Sequence, residues 1–119
     1  MRLDNDCIRD IMLYIEDNTH TIKDQVNVRS MIKELNYDRE TVYYHLEKMV
    51  QANFIKSLNG KNDHYVSSLT WEGHQYLDNI REDHIWKAVK EKANTVGSVS
   101  LQVMIPLATA MIKQKLGFS

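Results

Sequence analysis

The chain is poor in the residues that would tie it to several common chemistries. It has one cysteine, Cys7, among 119 residues, so it can build neither a disulfide framework nor a cluster of thiolate ligands. That usage suits a reducing cytoplasm, where we expect the protein to work. With four glycines and one proline it offers no Gly-rich phosphate loop, and no serine stands in a nucleophile elbow. The five histidines are scattered at positions 20, 45, 64, 74 and 84. His74 and Asp78 stand at i,i+4, but no second pair with metal-site spacing supports them, so no metal is expected. Paired acids such as Glu82 and Asp83 read as a solvated helical surface rather than a pair with a raised pKa. No cofactor signature is present, and the chain reads as a non-enzyme.

Charge of one sign and long apolar runs are also lacking. The net charge is -1, which gives no global pull toward nucleic acid or an anionic membrane. The most apolar stretch, residues 99–112, is interrupted by Ser100, Gln102, Pro106 and Thr109. It falls short of the roughly 18 apolar residues of a spanning helix, so no membrane partner is expected. Residues 1–10 are charged and lack the apolar core of a signal peptide.

What is present is an ordinary globular composition, 43% hydrophobic and 26% charged, of a length that suits one domain. Residues 4–18 read as a first helix, capped by Asp4 or Asn5, with Ile8, Ile11, Met12 and Ile15 on one stripe and Cys7 extending it as a small buried hydrophobe. A short strand is expected around Ile22, in residues 19–24. A second helix over 28–35 turns Val28, Met31, Ile32 and Leu35 inward. Asp38 then caps a third, from Arg39 to about Asn53, whose inner stripe is Val42, Leu46 and Met49, with His45 packed at its flank.

Residues 54–58 and 64–69 read as two strands joined through Asn59-Gly60, the pair favoured in a type I′ turn. Thr70 caps a fourth helix in which Trp71, Tyr76, Leu77 and Ile80 point inward. The pattern continues through Ile85, Trp86 and Val89 to about Ala93, and Gly97 ends it. Ser98 can cap a last helix reaching Leu116, with Gly117 as its stop and Pro106 kinking or dividing it. Trp71, Tyr76 and Trp86 are expected in the core. A base-stacking platform needs exposed aromatics instead.

The expected order is helix, short strand, helix, tight turn, helix, hairpin, helix. This is the order of a winged helix-turn-helix domain, in which two helices hold a third proud of the core. "TVYYHLEKMVQANFI", then a hairpin, then "LTWEG", is similar to the winged-helix regulator pattern of "HL..L...G.I", a wing and "LT..G". Asn53 stands where that pattern has glycine, and asparagine also tolerates the left-handed backbone. The stretches "DNDCIRDIMLYIE", "LTWEGHQYLDNIRED" and "WKAVKEKANTVGSVSL" make the chain resemble a phage- and prophage-associated winged-helix family of unknown function, the YjcQ-like proteins. The resemblance implies a fold that is mainly α with a small β-hairpin. It implies a winged helix-turn-helix domain over 1–80, a C-terminal helical extension over 81–119, and a phage or prophage setting. It implies no activity.

Carried over by position, the regulator pattern implies that Arg39, Glu40, Tyr43, Tyr44 and Glu47 face a DNA groove, with Arg29, Lys48, Lys56 and Lys61 near phosphates. The charge footprint is weak. Over residues 28–69 the cations Arg29, Lys33, Arg39, Lys48, Lys56 and Lys61 outnumber the anions Glu34, Asp38, Glu40, Glu47 and Asp63 by one. The larger positive excess, Lys87, Lys90, Lys92, Lys113 and Lys115 against Glu91, lies at the C-terminal end and reads as a solvated face. Two functions are therefore expected to compete. One is a small regulator that binds double-stranded DNA as a homodimer, through an apolar seam of Val99, Val103, Leu107 and Met111. That seam also suits packing within its own chain. The other is an interaction module that uses the tyrosine–glutamate face to bind a host or phage protein.

Overall fold

The structure, a computed structural model, describes all residues except 22, 57, 60–63, 98–99 and 118–119. It is mainly helical with one small sheet, and it divides into two compact units, residues 1–74 and 75–119. Among the described residues, no helix is long and apolar enough to cross a membrane.

The first unit begins with α1 (Asn5–Asp17), where the Asp4 carboxylate accepts from the amides of Asp6 and Cys7. The expected stripe of Cys7, Ile8, Ile11, Met12 and Ile15 is buried. The described residues of 19–24 do not form the expected strand. The Asp24 carboxylate instead accepts from the amides of His20 and Thr21, at 2.7 and 3.0 Å, and from the Thr21 hydroxyl. Such local side-chain bonds draw the backbone into a turn and away from a ladder. These bonds, His20's first, hold the Asp24 carboxyl below its usual range. Ile22, the centre of the expected strand, lies outside the described residues.

The strand comes directly after this turn, as β1 (Gln25–Asn27). Asn27 ends it and caps α2 (Val28–Leu35), which has the expected bounds. Val28 and Met31 are buried, whereas Ile32 and Leu35 are half-buried. Asn36 closes α2 at φ 60°. Asp38 caps α3 (Arg39–Gln51) by accepting from the Thr41 amide at 2.8 Å. Asn53, at φ 62°, turns the chain out of α3 in the left-handed conformation expected of it.

β2 (Leu58–Asn59) and β3 (Tyr65–Ser67) complete a three-stranded antiparallel sheet in the order β1-β3-β2. Val66 lies opposite Val26 on one side and Leu58 on the other, and an isolated bridge joins Ile55 to Leu69. Among the described residues the paired segment is thus shorter than the two strands expected. The Asn59-Gly60 turn falls outside the described residues.

α4 (Trp71–Ile80) starts at Thr70, whose hydroxyl accepts from the Gly73 amide and donates to the Asn53 carbonyl. Trp71 is not in the core; it is 75% exposed. The reason is helical phase. Gly73, Tyr76, Leu77 and Ile80 are buried, and at about 100° per residue Trp71 lies roughly 170° from their mean direction.

In the second unit the helix does not run on through Ala93. It stops at Ile80, and α5 (Asp83–Val96) restarts after Glu82, which is extended at φ -78° and ψ 134°. Phase again explains the break. The stripe of Ile85, Trp86, Val89 and Ala93 would lie about 175° from that of α4 on one unbroken helix, so a continuous rod would bury only one of them. Gly97 ends α5 at φ 83°, as expected.

α6 (Leu101–Lys115) is preceded by Ser100 rather than Ser98 and packs antiparallel to α5, with His84 against Lys115 at their shared end. Pro106 does not divide it. The proline forfeits one bond to the Gln102 carbonyl, and both residues are exposed, where water can serve that carbonyl.

Candidate functional site

The outward face of α3 gathers six of the expected site residues. Taking Val42 as zero, Tyr43, Glu47, Glu40, Tyr44 and Lys48 fall between about 100° and 240°, with Arg39 at their edge. Glu40 and Glu47 are exposed, and Tyr43, Tyr44 and Lys48 are half-exposed. Both cations of this face lie over tyrosine rings. Arg39 lies over the Tyr43 ring, 4.9 Å from its centre, and Lys48 lies over Tyr44 at 5.4 Å. The remaining predicted cations sit elsewhere. Arg29, on α2, donates to His64 Nε2 at 3.2 Å, which places the His64 proton on Nδ1. Lys56 is exposed, and its backbone amide donates to the Ser67 hydroxyl. Lys61 lies outside the described residues.

His45, on the opposite edge of α3, has a role that sequence reasoning did not supply. It is 2% exposed. Its Nε2 accepts from the Asp4 amide at 2.8 Å, and its Nδ1 lies 2.8 Å from the Thr41 carbonyl. A backbone amide can only donate and a carbonyl can only accept, so the ring is neutral with its proton on Nδ1. His45 therefore pins the start of α1 to the middle of α3. It also carries Tyr44, whose ring stacks on it at 5.0 Å and whose hydroxyl lies 3.5 Å from the Met1 carbonyl. One side of the outward face thus rests on a buried hydrogen-bonded histidine.

Of the predicted seam on α6, Val103, Leu107 and Met111 are half-exposed, while Met104 and Ala108 of the same helix are buried; Val99 lies outside the described residues.

Cys7 is fully buried at the start of α1. Burial first, then the carboxylates of Asp4, Asp10 and Asp38, push its thiol from the ordinary 9.0 up to about 12. Its contribution to stability is therefore complete below pH 9.0 and falls as pH rises from there toward the folded value. At neutral pH the native protein should carry about a thousandfold less thiolate than the unfolded chain. Iodoacetamide should accordingly label Cys7 only after denaturation. Rapid labelling of the native protein would show that α1 opens. Tyr37 is held protonated by burial and by its 2.7 Å bond to Asp10, another tie between α1 and the segment that leads into α3.

Residues 2–100 match the family described as "Hypothetical protein (DUF2513)", and the chain belongs to that family. It is also similar to a Haemophilus influenzae protein named "Uncharacterized protein", with 28% identity over 123 residues, covering 98% of this chain and 99% of that protein. No solved structure matches the chain.

Proposed function

We propose that this is a non-enzymatic, cytoplasmic DNA-binding regulator of winged-helix type, YjcQ-like and of phage or prophage origin. The observation that carries this reading is the outward face of α3, which follows α2 after a three-residue turn and is flanked by a small antiparallel sheet. In this reading Tyr43, Tyr44 and Arg39 meet the groove, and Arg29, Lys48 and Lys56 approach phosphates. The protein acts as a homodimer through the half-exposed Val103, Leu107 and Met111 of α6, because two half-sites compensate for weak charge on each.

One observation favours a second reading, an interaction module for a host or phage protein. Arg39 and Lys48 lie over tyrosine rings, and Glu40 and Glu47 stand exposed on the same face, a mixed aromatic and acidic surface that suits a protein interface better than a polyanion.

Fluorescence anisotropy with a random duplex tests the choice. Under the DNA reading, binding at low salt should weaken with salt by about 0.9 log units per tenfold salt for each phosphate contact. The double change Glu40→Lys with Glu47→Lys should then raise low-salt affinity by about tenfold or more. An absence of duplex binding by both proteins at low salt would reject the DNA reading and leave the interaction module.

A further inference from the structure

The first four residues run along one edge of the outward face of α3, and they bring to it a cation that lies outside the helix-turn-helix. The segment touches α3 at two points. The Asp4 amide donates to His45 Nε2 at 2.8 Å, and the Met1 carbonyl lies 3.5 Å from the Tyr44 hydroxyl. Arg2 stands between these points. Covalent geometry puts its Cα about 2.8 Å from the Met1 carbonyl oxygen, hence within about 6 Å of the Tyr44 hydroxyl. Leu3 is half-buried and Arg2 is exposed. Among the described residues, no hydrogen bond, ion pair or ring contact holds the Arg2 guanidinium.

The edge in question is the basic one. With Val42 as zero, Glu47 and Glu40 lie at about 140° and 160°, toward Tyr43, whereas Tyr44, Lys48 and His45 follow at about 200°, 240° and 300°. The segment therefore borders the side that carries Lys48, away from the two glutamates. Lys48 lies over the Tyr44 ring, and the Met1 carbonyl lies at the hydroxyl of that same ring, so Lys48, Tyr44 and residue 2 form one row. The neighbouring Asp4 carboxylate is engaged as a cap, accepting from the Asp6 and Cys7 amides. A helix seated in a major groove has base edges under its crown and phosphates along its flanks. A cation on the flank meets phosphate.

We propose, resting on the DNA-binding reading above, that Arg2 contacts a DNA phosphate on the flank that Lys48 approaches. A guanidinium suits this task, since it stays charged and donates two parallel bonds to a phosphate.

Arg2→Gln in the full chain, titrated with a random duplex by fluorescence anisotropy across a salt series, tests this. The slope of log affinity against log salt should fall by about 0.9, and low-salt affinity should drop about tenfold. Arg2→Lys keeps the charge and should retain the slope. Lys23→Gln removes an equal charge from the exposed turn beyond the far end of α1, about 20 Å along that helix, and should leave the slope unchanged. The Tyr44 ring signals should stay still in Arg2→Gln. If the parent binds duplex and Arg2→Gln keeps its slope, the phosphate contact is overturned and the DNA reading stands. Equal losses in Arg2→Gln and Lys23→Gln would overturn it as an effect of bulk charge. Movement of the Tyr44 signals in Arg2→Gln would assign the loss to the fold of the segment and overturn a direct contact. No duplex binding by the parent at low salt would overturn both the contact and the DNA reading.

Discussion

Gly73→Ala should destabilise the protein by about 2–4 kcal/mol, although alanine is the better helix former. A methyl group at Gly73 would stand 2.5 Å from the Phe54 carbonyl oxygen and 3.2 Å from the Phe54 Cα. The obstacle is backbone, and that backbone is held from both sides. Phe54 N–H donates to the Met49 carbonyl at 2.8 Å, and the Phe54 carbonyl accepts from Thr70 at 2.9 Å. Moving Phe54 aside would also disturb its fully buried ring and the neighbouring Ile55–Leu69 bridge. The gain in helix propensity is about 1 kcal/mol, so the steric cost wins. Thermal unfolding should show a Tm lower by about 10 °C or more. A Tm within about 2 °C of the parent would mean that α4 does not approach Phe54 this closely. Gly97 provides the contrast. A Cβ there would meet nothing within 4 Å, and its requirement is the φ of +83°. Gly97→Ala should therefore cost less, about 1 kcal/mol.

These two glycines illustrate what the sequence could tell and what it could not. The stop at Gly97 was legible because a left-handed helix end is a local demand, answered by the residue that stands there. The same holds for the caps at Asp4 and Asp38, the left-handed Asn53 and the bounds of α2. The close approach at Gly73 was hidden, because its cause lies at Phe54, 19 residues away in the chain. The break between α4 and α5 and the exposure of Trp71 were available but missed. Both follow from comparing the phases of two apolar stripes, and joining them into one helix erased the difference. The turn at Asp24 misled because β-branched residues suggested a strand, while the aspartate's local bonds governed the backbone. Of the candidate site, the face of α3 was legible from its periodicity. The placement of Arg39 and Lys48 over tyrosines was not, because it depends on rotamers that no spacing rule supplies.

The second large effect should come from His45. His45→Ala removes a buried ring and both of its hydrogen bonds, so a loss of about 3 kcal/mol is expected. The Thr41 carbonyl can still serve the helix ladder of α3, but the part-buried Asp4 amide loses its acceptor 41 residues away. The damage should therefore spread to α1. Hydrogen exchange in its first turn should accelerate more than exchange in α5, which has no part in this contact. His45→Gln, which keeps an acceptor, should recover part of the loss. Tyr44 supplies a separate readout. It stacks on His45, so its ring signals should move in His45→Ala even where the helix stays folded. The native ring should show the Nδ1–H tautomer in a nitrogen-correlated spectrum, because the Asp4 amide occupies Nε2. An Nε2–H ring, or a His45→Ala protein as stable as the parent, would remove the link between α1 and the outward face of α3. If the link holds, the shape of that face depends on the first residues of the chain. Truncation before Asn5 should then loosen Tyr44 as His45→Ala does, without touching any residue of α3.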